Sequence, residues 1–99
     1  MLFAVICKDK AADGLALRLA NRPDHLAYLE SLGDRLRCAG ALLGSEGGDP
    51  LGSLLIVEAD TLADAQALAD DDPFAKIGVF ESVEVRPWRL APVGAVRQL

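Results

Sequence analysis

Leu2-Phe3-Ala4-Val5-Ile6-Cys7 is a run of six apolar residues with no polar alternation. A strand with one wet face alternates with a period of two, so this run marks a strand that needs cover on both faces. Leu54-Leu55-Ile56-Val57, within a third strand expected over Gly52 to Ala59, repeats the pattern. Neither run approaches the length of a membrane span. Two such strands pose the problem that the rest of the chain must solve, because something has to lie on each side of the sheet they share.

Between them, Lys8 to Gly14 reads as a polar turn and Leu15 to Ala20 as an apolar approach to a helix. Pro23 suits the first helical position, with Asn21 or Arg22 as cap, and the helix runs to about Arg37 before Gly40 stops it. At 100° per residue its buried stripe is Leu26, Leu29, Gly33 and Leu36, and His25 falls within it. Ala41-Leu42-Leu43 is a short second strand, followed by Gly44-Ser45-Glu46-Gly47-Gly48-Asp49-Pro50 as a mobile hairpin loop. Asp60 or Thr61 caps a second helix, Thr61 with Asp64 approximating a capping box, and Leu62, Ala65, Leu68 and Ala69 share one of its faces. Asp70-Asp71-Asp72-Pro73 ends it, since a proline at 73 disfavours helical geometry at Asp72. Val79 to Leu90 is the last strand, and Pro87, with no N–H to donate, places it at an edge or takes it out of the sheet.

The order strand, helix, strand, strand, helix, strand predicts a ferredoxin-like βαββαβ α+β sandwich, a four-stranded antiparallel sheet with both helices on one face. That leaves the second face bare and apolar, a larger patch than monomers usually carry. A two-fold homodimer with the sheets face to face covers it. Ninety-nine residues make one domain, 1–99, with 91–99 expected either to dock on the partner or to be disordered.

Composition narrows the function. The chain is 52% hydrophobic and carries a net charge of −5, which argues against nucleic acid or an anionic membrane as partner. No signal-peptide pattern opens the chain, and Cys7 and Cys38 lack metal-ligand spacing, so reduced thiols and a cytoplasmic location are expected. With one histidine and no cysteine cluster, a transition-metal site is not expected, and no cofactor is expected; adjacent Asp70, Asp71 and Asp72 leave an all-carboxylate site formally open, although consecutive residues point different ways.

His25 is the one side chain whose ordinary titration lies near neutral pH. Placed one turn into a helix, it meets a positive helix end that favours the neutral ring, while a nearby carboxylate pulls the other way. It reads either as a general base or as a core histidine bonded to a carbonyl. The topology lets Asp72 converge on it, where the carboxylate would fix the tautomer and leave the second ring nitrogen as base; Asp72 reads equally as a turn former before proline. Arg22, on the same side of the helix, is a candidate anchor for an anionic substrate group. Asp9, just past the first strand, and Ser45, in the hairpin loop, are the remaining candidate substrate-binding residues.

Arg22-Pro23-Asp24-His25-Leu26-Ala27-Tyr28-Leu29, Gly52-Ser53-Leu54-Leu55-Ile56-Val57, Asp72-Pro73-Phe74-Ala75-Lys76 and Val83-Glu84-Val85-Arg86-Pro87-Trp88, in this order, resemble the YCII-related (YciI-like) family over nearly the whole chain. The resemblance implies a dimeric ferredoxin-like α/β barrel, related in architecture to muconolactone isomerase and small monooxygenases. It also implies an active site with a histidine–aspartate pair, which maps onto His25 and Asp72. One branch of the family includes a dehydrochlorinase acting on a chlorinated hydroxyhydroquinone. Where many relatives have Gly-Pro after the first helix, this chain has Gly40-Ala41. The function expected is proton transfer on a small organic substrate, aromatic or anionic, by elimination or isomerisation. The alternatives are a non-catalytic dimeric module that holds a metabolite, and cofactor-free oxygenation of a quinol-like compound.

Overall fold

The computed structural model describes residues 1–93, so most of the tail expected to dock or be disordered lies outside the described part. The elements are β1 (Leu2–Asp9), α1 (Gly14–Ser31), a single 3₁₀ turn (Gly33–Arg35), β2 (Leu36–Gly44), β3 (Gly47–Glu58), α2 (Leu62–Asp70), α3 (Pro73–Lys76) and β4 (Phe80–Trp88). The strands form one antiparallel sheet in the order β2-β3-β1-β4, which is the ferredoxin-like arrangement. The two strands that are apolar on both faces are therefore its central pair.

Register sorts the side chains. Val5 lies opposite Leu55 on one side and Val85 on the other, and Cys7 lies opposite Ser53 and Val83. Phe3, Val5, Cys7, Leu55 and Val57 thus share one face and pack with Leu29 and Leu32 from the first helical segment and Ala65 and Ala69 from α2. The small residues of α2 let it lie close on the strands. Ala4, Ile6, Leu54 and Ile56 point the other way, toward a face that carries no helix, and Leu42, Leu54 and Trp88 are exposed there. At Gly52, a Cβ would stand 2.1 Å from the Cys7 carbonyl oxygen, so only glycine lets β3 approach β1 at this point. Pro87 sits on β4, an edge strand, as its missing N–H requires.

Several local expectations are corrected. Helix α1 begins at Gly14, not Pro23, and Pro23 lies inside it; the cap is Asp13, and neither Asn21 nor Arg22 plays that part. Asn21 instead donates its side-chain amide to the Leu17 carbonyl, 2.9 Å away. The helix stops at Ser31, because Gly33 takes φ +56°, the left-handed conformation that glycine adopts freely, so Gly33 ends the helix and is not part of its stripe. Leu36 belongs to a strand and Leu26 is exposed, leaving Leu29 as the member of that stripe which α1 buries. Strand β2 is longer than Ala41-Leu42-Leu43, and the expected mobile loop is a two-residue turn, Ser45-Glu46, with Gly44 and Gly47 paired across it. Thr61 caps α2, its hydroxyl accepting the Asp64 N–H at 3.1 Å.

Candidate active site

Asp72 stands between two helices. Its backbone leaves helical geometry at φ −60° and ψ 127°, as the following proline demands, and its carboxylate caps α3 by accepting the Phe74 N–H at 3.0 Å. The same oxygen, Oδ1, lies 2.8 Å from His25 Nδ1. The turn-forming and histidine-pairing readings of Asp72 therefore hold together in one atom. Both residues are buried, Asp72 at 2% exposed and His25 at 7%. His25 lies deep inside α1, and the positive helix end expected beside its ring is at Gly14 instead. Its ring lies flat on Phe74, with centroids 3.9 Å apart and planes within 8°.

A second polar group adjoins the first. Arg18, one turn into α1, points down onto the sheet and donates Nε to Asp9 Oδ2 at 2.7 Å and Nη2 to Asp9 Oδ1 at 2.8 Å. The same Nη2 donates to Ser53 Oγ at 2.9 Å. A register shift in the β1–β4 pairing between Lys8 and Asp9 marks a bulge that re-aims Asp9. Gly14 makes room for it, since a Cβ there would stand 3.0 Å from Asp9 Cβ and 3.1 Å from the Val79 carbonyl oxygen. Guanidinium and carboxylate meet in a two-point fork, the geometry in which a buried ion pair offsets its desolvation. The Arg18 guanidinium carbon also stands 4.8 Å from the centre of the Phe74 ring.

These groups border a cavity of about 250 Å³ between α1 and the β2–β3 hairpin, walled by Arg18, Arg22, His25, Ala39, Ala41 and Ser53, with Phe74 also in its lining. His25 Nε2 and Arg18 Nη1 have no hydrogen-bond partner among the described residues, and no side-chain polar atom there is both sealed and unpaired, so both open outward. The cavity wall carries cationic and neutral groups; the carboxylates stand behind it. Cys7 lies on the sheet beneath, its thiol pushed up to about 12 by burial first and by the Asp72 carboxylate second, which keeps it protonated and unreactive. Burial, aided by Asp71 and Asp72, raises the Tyr28 phenol as well; its hydroxyl donates to the Leu68 carbonyl at 2.7 Å and ties α1 to α2. A wider hollow of about 630 Å³, bounded by Asp34, Arg37, Glu58, Asp60 and Asp71 among others, contains none of these groups. No group of three or more histidine, cysteine, aspartate or glutamate side chains among the described residues is placed to hold a metal.

The structure thus brings His25 and Asp72 together and sets Arg22, exposed, in the cavity wall. Asp9 stands behind Arg18 with both oxygens occupied. Ser45 is exposed in the β2–β3 turn and does not line the cavity. Sequence reasoning missed Arg18, Ser53 and Phe74. The signal for Arg18 was present: Gly14, Arg18, His25 and Leu29, the buried residues of α1, fall on one helical face once the helix is begun nine residues earlier.

The class is a ferredoxin-like domain with a buried histidine–carboxylate pair beside a small, mostly apolar cavity whose polar groups are Arg18, Arg22, His25 and Ser53. The YCII-related domain matches residues 1–89, and the chain belongs to that family. It is 43% identical over 96 residues to Protein YciI of Escherichia coli O6:H1, covering 90% of this chain and 97% of that protein, and equally to Protein YciI of Shigella flexneri. Among solved structures it is similar to the 5-chloro-2-hydroxyhydroquinone dehydrochlorinase of Burkholderia phenoliruptrix AC1100 in complex with 2,5-dihydroxybenzoquinone. That match has a TM-score of 0.85 and 36% identity over 92% of this chain and 96% of that one. A NIPSNAP domain protein from Burkholderia xenovorans, at 14% identity and a TM-score of 0.53 over 97% of this chain and all of that one, shares the fold alone. No helix among the described residues is long and apolar enough to cross a membrane.

Proposed function

We propose that the protein is a small enzyme that uses His25 and Asp72 for general acid–base chemistry on a small organic substrate. The observation that carries this reading is the 2.8 Å contact between His25 Nδ1 and Asp72 Oδ1 beside a cavity that His25 lines. In it, Nδ1–H donates to Asp72, which fixes the tautomer and leaves the Nε2 lone pair as base. A cavity of about 250 Å³ accommodates a single-ring molecule. The dehydrochlorinase similarity favours elimination: a substrate proton passes to Nε2, its electron pair forms the new double bond, and the leaving group departs with its bonding electrons. In isomerisation no group leaves: the electron pair shifts within the substrate and the imidazolium returns the proton to another atom. Arg18 Nη1 faces the oxygen on which negative charge develops, and Arg22 at the rim meets a second anionic group. Asp9 acts on the substrate through Arg18.

The working unit is a homodimer in which the bare faces carrying Leu42, Leu54 and Trp88 meet. Light scattering at micromolar concentration gives twice the chain mass on this reading and the monomer mass if it is wrong. Two unpaired cysteines, one of them exposed, suit a reducing cytoplasm.

The test is chloride release from 5-chloro-2-hydroxyhydroquinone, together with solvent-deuterium exchange into hydroxyquinol-like compounds. His25→Ala is expected to lose about 100-fold or more of any turnover found, with the fold intact. A folded His25→Ala variant with wild-type turnover overturns the assignment. In parallel, the His25 ring signals in NMR change between wild type and Asp72→Asn if the pair is coupled; identical signals make His25 a structural residue and leave the ligand-binding module as the better reading.

A further inference from the structure

Phe74 is the residue on which both halves of the cavity converge. Its backbone N–H donates to Asp72 Oδ1, the oxygen that His25 Nδ1 also contacts. Its ring lies flat against the His25 ring and 4.8 Å from the Arg18 guanidinium carbon. Phe80 holds that ring from the side, edge to face at 88° with centroids 6.1 Å apart. Phe74 is fully buried, so its ring is packed on every side.

One hydrogen bond at Nδ1 does not by itself hold an imidazole. The ring pivots about the Cβ–Cγ bond, a torsion with a broad, two-fold minimum, and the alternative orientation carries Nδ1 away from Asp72 and takes Nε2 off the cavity. A flat aromatic face at 3.9 Å blocks that rotation, because the turning imidazole edge would have to pass through the phenyl ring. The short turn Asp72-Pro73-Phe74 places the carboxylate and the blocking ring two residues apart, so one local structure sets both the hydrogen bond and the plane of the base.

We infer that Phe74 is a positioning residue, which fixes the plane of His25, so that Nδ1 stays on Asp72 and that contact keeps a single tautomer, and which seats the Arg18 guanidinium at the same ring. The inference rests on the reading of His25 as the base and extends it to how that base is held. Phe74 acts through His25 and donates no group of its own to a substrate.

The experiment compares Phe74→Leu, Phe80→Leu and Asp72→Asn by long-range ¹H–¹⁵N NMR of the neutral His25 ring. Phe74→Leu retains an apolar side chain of similar reach and the backbone N–H to Asp72, but offers no flat face. Phe80→Leu removes the edge contact, loosens the same part of the core and leaves the His25–Phe74 stack in place, so it reports what mere loss of packing does. Wild type is expected to show a single Nδ1–H tautomer with well-separated ring nitrogens. Phe74→Leu is expected to lose that single pattern, its two nitrogen signals drawing together through exchange, while Phe80→Leu keeps it at a comparable fall in melting temperature. If Phe74→Leu fails to fold, Phe74→Met takes its place with the same expectation. A wild-type tautomer pattern in the folded Phe74 variant, or an equal loss in Phe80→Leu, overturns the inference. If Asp72→Asn alters the His25 signals and Phe74→Leu does not, the acid–base reading survives and only the positioning role falls; if neither alters them, both fall.

Discussion

Replacing Arg18 with methionine tests the polar group that sequence reasoning missed. The side chain is 5% exposed and its partner Asp9 is 8% exposed, so the substitution keeps the apolar stem and leaves a carboxylate buried without its two N–H donors. Removing one member of a buried pair costs about 3–5 kcal/mol, because the remaining charge has neither water nor a counter-ion. The Phe74 ring loses its cation at the same time, worth about 0.5–2 kcal/mol and partly overlapping with the first figure. For a domain of this length, 1 kcal/mol moves the melting temperature by about 4–8 °C, so a fall of at least about 12 °C is expected. Asp9→Leu alone strands the guanidinium and costs a similar amount, whereas the double variant removes both charges. The double is expected to be less destabilised than the sum of the singles by about 2 kcal/mol or more. Urea unfolding followed by circular dichroism, at one fixed protein concentration because association contributes to stability, provides the numbers. A single variant costing under about 1 kcal/mol, or strict additivity in the double, would show that the pair is neither buried nor coupled as described.

Other consequences follow from single contacts. Cys38, exposed, is alkylated by iodoacetamide in the native protein at pH 8, while Cys7, buried and raised from 9.0 to about 12, reacts only after unfolding; mass spectrometry of the native digest decides it. Because the folded protein retains the Cys7 proton that an unfolded chain releases, stability falls between about pH 9 and 12, and Cys7→Ala flattens that part of the curve. Gly52→Ala forces a Cβ to 2.1 Å from a β1 carbonyl oxygen, so the strand pair must separate; a loss above about 2 kcal/mol is expected, and a neutral substitution would contradict the register. Thr61→Ala removes the cap of α2 and costs about 1 kcal/mol, measurable by thermal denaturation, without altering the His25 NMR signals.

The order of elements was legible because it depends on patterns that survive local error. Leu2 to Cys7 and Leu54 to Val57 are short apolar runs without alternation, the pattern of central strands, and Thr61 with Asp64 marks a helix start with its own hydrogen bond. What failed was punctuation. Pro23 has the fixed φ of a first helical residue, yet an interior proline costs a helix one hydrogen bond and some steric strain, and packing of α1 on the sheet offsets that here. Starting the helix too late removed Arg18 from the helical face and left Arg22, one turn on, as the visible arginine. Gly33 was read for its spacing, whereas its positive φ made it the stop. His25 and Asp72 were legible as a pair through a topology that lets them converge and through the family resemblance, which maps a histidine–aspartate pair onto them; taken singly, each read as well as a core histidine or a turn former. Phe74 and Ser53 were not, since an aromatic and a hydroxyl at ordinary positions carry no mark until the sheet register and the α3 turn place them beside His25 and Arg18.

One carboxylate oxygen serves both as the cap of α3 and as the contact of His25 Nδ1. The two duties can be separated by choosing which partner to change. Replacing the aspartate strips a helix of its cap and breaks the pair at once, whereas replacing the histidine breaks the pair and leaves the cap of α3 standing. Any effect common to both replacements therefore belongs to the pair, and any effect confined to Asp72 belongs to the turn that begins α3.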